Sequence, residues 1–145
     1  MIDTFDRDGI RFQYPVNWRP DPESADDEGG AWTVVLQSPG TAFLLVSLRP
    51  EADTPAALAD QTLDALKAEY KELDADDVVE TLAGRAAIGH DMDFLTLDTA
   101  VSCLTRCVDT PGGPLLLMGQ ASEYERATAE PVFRAVFASL AVDPD

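Results

Sequence analysis

Residues 77–121 read DVVETLAGRAAIGHDMDFLTLDTAVSCLTRCVDTPGGPLLLMGQA, and this stretch decides the fold. Four apolar-rich runs stand in it: Val78 to Leu82, Ala86 to Leu97, Val101 to Val108 and Leu115 to Ala121. Gly84, the pair Asp98-Thr99 and the run Asp109 to Pro114 separate them. Connections this short join strands that run antiparallel, so the stretch predicts a four-stranded meander.

Upstream, Ile10, Phe12 and Tyr14 alternate with Arg11 and Gln13, the pattern of a half-buried strand. Pro15 ends it and Trp18 follows in a turn. Residues 20–30 hold many acids and chain breakers and read as a mobile acidic loop. Trp32–Leu36 and Phe43–Leu48 flank Ser38-Pro39-Gly40-Thr41 and form a hairpin. Both runs are almost continuously apolar, which predicts cover on each face of the sheet. Thr54-Pro55 is a capped helix start. The stripe from Leu58 through Leu66 and Tyr70 to Leu73 predicts about five helical turns. Beyond the meander, Thr128 opens a second helix with Glu130 and Pro131 in its first turn. Val132, Phe133, Val136, Phe137 and Leu140 are its buried stripe, and Ala141-Val142 is a candidate edge strand. Strands grouped in blocks rather than alternating with helices indicate an α+β fold. At 145 residues, without a linker or an internal repeat, the chain reads as one domain spanning 1–145.

Three segments carry a family resemblance. Gly9-Ile10-Arg11-Phe12-Gln13-Tyr14-Pro15-Val16-Asn17-Trp18 resembles the opening of the PsbP/Mog superfamily, an aromatic strand closed by Tyr-Pro and a nearby Trp. Leu82-Ala83-Gly84-Arg85-Ala86-Ala87 is similar to the turn that begins its meander. Val132-Phe133-Arg134-Ala135-Val136-Phe137-Ala138-Ser139-Leu140 resembles its closing helix. The superfamily also takes in DcrB-like proteins and chaperones of Rhs effectors. The resemblance implies a central antiparallel β-sheet flanked by helices, an α/β/α sandwich of PsbP/Mog type. It brings no catalytic residue. The roles it admits are extrinsic subunit, regulatory adaptor and chaperone.

Charge narrows the partners. Ten Lys and Arg stand against 27 Asp and Glu, a net charge of −17. A chain so acidic is repelled by nucleic acids and by anionic membrane surfaces. It favours a protein partner with a basic or hydrophobic segment, and the protein itself as a monomer or homodimer. Only Lys67 and Lys71 are lysines, and Asp outnumbers Glu 18 to 9, a balance that a habitat or codon bias also produces. The start, Met1 to Asp8, is charged and has no apolar leader core, and no run approaches a membrane span. These features read as cytoplasmic, with no membrane insertion.

The search for chemistry returns little. Phosphate-cradling glycine motifs and the nucleophile elbow are absent. His90 is the single histidine, and on a strand Asp91 and Asp93 point away from it, so neither can orient it as a base. Cys103 and Cys107 share a strand face about 13 Å apart, too far for a disulfide. With His90 set beside Cys103 across the Asp98-Thr99 turn, Cys107 lies too far along to complete a zinc site. Asp74, Asp76 and Asp77 lack the glycine and later glutamate of a calcium loop and read as a solvated helix exit. No metal, cofactor or catalytic group is expected, and the chain reads as a non-enzyme. The candidate partner-binding residues are Trp18 and the loop acids Asp26, Asp27 and Glu28. A non-catalytic protein-binding module leads. The alternatives are small-molecule or lipid binding in a cleft between sheet and helix, and an enzyme with an unrecognised carboxylate site.

Overall fold

The computed structural model describes residues 1–22, 24–26 and 28–144. Strand β1 (Ile2–Arg7) is followed by β2 (Ile10–Pro15), the short β3 (Arg19–Pro20) and β4 (Ala25–Asp26), and a 3₁₀ turn at Glu28–Gly30. The hairpin β5 (Trp32–Gln37) and β6 (Phe43–Leu48) leads to helix α1 (Pro55–Glu69). The meander is β7 (Asp74–Leu82), β8 (Arg85–Leu95), β9 (Ala100–Val108) and β10 (Leu115–Ser122). Helix α2 (Arg126–Ala138) and β11 (Ala141–Val142) close the chain.

The large sheet runs β3-β5-β6-β10-β9-β8-β7, with β4 also paired to β5, and a small sheet runs β1-β2-β11. The meander therefore forms as the sequence indicates, and β10 inserts beside β6 to join it to the hairpin. The two-residue turn Ala83-Gly84 sets the β7–β8 register. Both residues take positive φ (54° and 72°), the mirror-image turn that matches strand twist. Glycine supplies that conformation freely at the second position.

Side chains alternate across the large sheet and build two cores. On one face, Leu44, Val46, Leu115 and Leu117 meet β2 and α2. Helix α2 seats Phe133 directly over Gly119, where a Cβ would fall 2.5 Å from the ring, so that contact requires glycine. On the other face α1 covers β8, β9 and β10, and Tyr70 stacks on Phe94 at 4.0 Å. Each large apolar side chain buried in these layers contributes about 1.5–3 kcal/mol.

Several boundaries differ from the sequence reading, each for a local reason. Helix α1 starts as expected, with the Thr54 hydroxyl accepting from the Ala57 amide, but ends at Glu69. Tyr70 is extended, its ring on Phe94, and Leu73 packs on the same cluster from outside the helix. Strand β7 begins at Asp74, so the acids expected at a helix exit lie in a strand. Helix α2 begins two residues before Thr128, whose hydroxyl donates back to the Glu125 carbonyl instead of capping; Pro131 then falls in the second turn. The acidic segment is not a free loop: β3 and β4 pair along the outer edge of β5. Cover of β5 is uneven, with Trp32, Val34 and Leu36 buried and Thr33 and Val35 half-buried. Strand β1 escapes the sequence reading because its side chains are mostly exposed, yet Asp8-Gly9 is a strong hairpin signal.

Candidate functional site

The candidate residues of the sequence reading do not converge. Trp18 is buried, with 5% of its surface exposed, and meets Phe133 edge-on at 5.7 Å. Its ring helps wall a surface cavity of about 530 Å³ between the end of β2, the β5–β6 turn and the first turns of α2. Asp26 lies opposite Trp32, whereas Arg19, next to Trp18, lies opposite Gln37. Five residues of β5 separate those positions, about 17 Å. The Asp26 carboxylate is held by Arg7 at 2.7 Å, and Arg7 itself lies over the Trp32 ring. That ion pair holds the Asp26 carboxyl below its usual range. Glu28 is exposed at the head of the 3₁₀ turn. Asp27 lies outside the described residues.

The cysteines are free and buried as expected, but the histidine is placed differently relative to them. His90 stands opposite Thr105, not Cys103; Met92 faces Cys103 and Ile88 faces Cys107. Thr105 Oγ1 accepts from the His90 amide at 3.1 Å. His90 is buried, and its Nε2 lies 3.2 Å from Asp77 on β7. The carboxylate that orients the ring thus comes from the neighbouring strand, and no hydroxyl contacts Nδ1 among the described residues. Both thiols are free and buried, and burial pushes each up to about 12. They are packing groups at neutral pH. Among the described residues no group of His, Cys, Asp or Glu converges in a way that could hold a metal ion.

A concentration of acidic residues lies at the β7 end of the large sheet. Counting back from the Ala83-Gly84 turn sets Asp76 opposite Asp91 and Asp74 opposite Asp93. Alternation puts all four carboxylates on the same face as Glu80. Like charges set directly across a ladder destabilise it, by roughly 0.2–1 kcal/mol per pair. One buried cation offsets part of this. Arg106 on β9 is 1% exposed, donates from Nε to Glu80 at 2.6 Å, and places Nη2 2.9 Å from Asp91. Its Nη1 donates to the Thr105 carbonyl at 2.7 Å. Asp93 accepts from the Ser102 hydroxyl at 2.9 Å. Glu80 is thus hydrogen-bonded to the guanidinium, and Asp91 is ion-paired with it. Asp77, on the opposite face, leaves 95% of its side chain exposed. The sequence holds the signal for this site in the turn Leu82 to Arg85, because that turn fixes the register and so pairs the aspartates.

A second apolar depression runs along α1. It is lined by Leu45, Leu58, Ala65, Leu66 and Met118, has a volume of about 420 Å³, and ends at Thr33, Ser47 and Arg49. Arg49 donates to both hydroxyls there, at 2.7 and 2.9 Å.

No known family model matches the sequence, and no curated protein matches it. Solved structures do match. Cyanobacterial PsbP (CyanoP) from Synechocystis sp. PCC 6803 superposes with a TM-score of 0.63 at 16% identity, over 98% of this chain and 92% of that one. A protein of unknown function from Pseudomonas aeruginosa, PA94, described as a candidate regulator, gives 0.62 at 13% identity over 99% of each chain. LpqN, involved in cell envelope biogenesis of Mycobacterium tuberculosis, gives 0.56 at 16% identity over 99% of this chain and 91% of that one. The chain has the PsbP-like α+β fold that the resemblance implies. Among the described residues no helix is long and apolar enough to cross a membrane.

Proposed function

We propose that this protein is a non-catalytic module that binds another protein, taking a basic segment of it at the acidic β7–β8 end of the large sheet. The observation that carries this reading is the pair of opposed aspartates, Asp74 with Asp93 and Asp76 with Asp91. Repulsion within the folded protein is relieved when a cationic segment lies across them, so binding gains what the free fold lacks. None of the three proteins of like fold is described as an enzyme, which supports a non-catalytic role. A chaperone or an adaptor for a basic client fits this chemistry, working as a monomer or homodimer in the cytoplasm.

Amide chemical shifts recorded while a lysine-rich peptide is titrated in at low salt test the reading. Shifts centred on Asp74–Glu80 and Asp91–Asp93 are expected, and they fade near 1 M salt, where the screening length is about 3 Å. Shifts confined to other surfaces, or none at low salt, contradict it.

The groove beside α1 favours a second reading, an apolar small molecule or single acyl chain held between sheet and helix. Its volume of about 420 Å³ lies within the range of ligand pockets, roughly 300–1,000 Å³. Native mass spectrometry of freshly purified protein is expected to show an added mass; only apo protein from several expression hosts removes this reading.

A further inference from the structure

We infer that the outer edge of β7 accepts an extended basic segment of the partner as an added strand, hydrogen-bonded to Ala75, Asp77, Val79 and Thr81. The inference rests on the proposed reading of the β7–β8 end and specifies its mode.

Strand β7 is the last of the large sheet, and β8 is its partner on the inner side. Its nine residues pair with β8 in unbroken register from Leu82↔Arg85 to Asp74↔Asp93. The residues that flank a two-residue hairpin loop exchange both main-chain hydrogen bonds, and the pattern alternates from there. Leu82, Glu80, Val78, Asp76 and Asp74 therefore turn their N–H and C=O groups inward to β8. Thr81, Val79, Asp77 and Ala75 turn theirs outward. From Ala75 to Thr81 the outward row spans about 20 Å, enough for a strand of ordinary length.

The devices that blunt an edge are bulges, prolines, covering segments and charge. Here β7 has no proline and no break in register, and charge is the device present. That charge selects the occupant. A second copy of the chain would set Asp74, Asp76, Asp77 and Glu80 against the same acids, so self-pairing is opposed. A basic strand meets complementary charge on both faces: Asp74 and Asp76 on one, Asp77 on the other. Val79, 72% exposed, adds an apolar contact beside Asp77. In strand addition the main-chain bonds supply affinity and alternate side chains supply specificity. An alternation of basic and small apolar residues is the sequence that fits.

The test uses an acetylated nine-residue peptide alternating lysine and valine, titrated into the full chain at low salt. Val79→Pro removes one outward N–H, leaves every charge in place and spares the β7–β8 ladder. It is expected to weaken binding about tenfold, whereas Val79→Ala, which keeps the N–H, stays within about twofold of the natural chain. Peptides N-methylated at alternate amides provide a readout that needs no variant: methylation in one phase abolishes binding, and in the other phase it is tolerated. Equal binding by Val79→Pro and by both methylated phases overturns strand addition while leaving charge-driven docking intact. If the natural chain does not bind the peptide at all, the proposed function falls, and the added strand with it.

Discussion

The two edges of the large sheet solve the same problem in opposite ways. At the β5 edge, β3 and β4 pair along the strand, and β5 buries Trp32 at 1% exposure under Phe5 and Arg7. At the β7 edge no strand covers the outer side among the described residues, and aspartates stand opposite aspartates. The covered edge is built for stability, with apolar area and satisfied backbone. The bare edge gives up stability through like-charge pairs and keeps main-chain groups free. A strongly acidic chain can therefore hold one site where acidity is organised while most of its charge lies on solvent-facing positions.

Breaking the covered edge has the largest expected effect. Trp32→Ala removes a fully buried indole and its hydrogen bond to Asp8 at 3.0 Å. The expected loss is about 3–5 kcal/mol, read as a shift of the urea midpoint. A loss near 0.5 kcal/mol, the size usual for exposed positions, would show that this edge is not the stable one.

Arg106→Met comes next, because Arg106 is the one deeply buried cation on the acidic face. Removing one partner of a buried pair costs about 3–5 kcal/mol. Here Glu80 and Asp91 remain about a third exposed and can rehydrate, so about 2 kcal/mol is expected. Salt should stabilise the variant more than the natural chain, because two carboxylates lose their counter-charge. An unchanged salt response would contradict the ion-pair role.

Replacing Asp74, Asp76 and Asp77 together by Asn sharpens the comparison. Relief of like-charge pairing is expected to raise stability by up to about 1 kcal/mol. The neutral edge also becomes more open to self-pairing, so sedimentation should detect more dimer than for the natural chain at the same concentration. A variant that binds the lysine-rich peptide as well as the natural chain would contradict the proposed site.

The smallest effect concerns the clamp between α2 and the hairpin turn. Glu125 accepts from the Thr41 amide at 2.7 Å, the Thr41 hydroxyl at 2.9 Å and the Ala42 amide at 2.9 Å. The Thr41 amide bond, helped by the other two, holds its carboxyl below the ordinary value of 4.5. Its contribution is complete above pH 4.5 and is lost as pH falls through the lowered folded value. Glu125→Gln should remove about 1 kcal/mol or less at neutral pH, with the difference from the natural chain shrinking below pH 4.5. A difference independent of pH would contradict this account.

Much of the fold was legible because local signals and burial agreed. Thr54-Pro55, the 38–41 turn and the meander connections each have a local physical cause, and the structure keeps them, except that the strand expected to reach Leu97 ends at Leu95 and the Asp98-Thr99 connection widens to 96–99. The site was less legible. Asp74 and Asp76 look like solvated exit residues until register is known, since nothing in a run of acids distinguishes a strand from a coil. Only the turn at Ala83-Gly84, followed nine residues back, sets them against Asp93 and Asp91. Trp18 lies buried against Phe133, and its neighbour Arg19 pairs about 17 Å along β5 from Asp26, a separation that proximity in sequence conceals. Strand β1 was hidden by its exposed side chains, because it is held by pairing to β2 and by Phe5 stacked on Phe12 at 4.9 Å.

Amide hydrogen exchange along β7, with and without the alternating lysine–valine peptide, tests the central claim most directly. In the free protein the amides of Ala75, Asp77, Val79 and Thr81 should exchange quickly and those of Asp76, Val78 and Glu80 slowly. With peptide bound, the fast set alone should become protected. Protection that appears elsewhere in the sheet while the fast set stays unchanged would contradict the claim that this edge is the docking site.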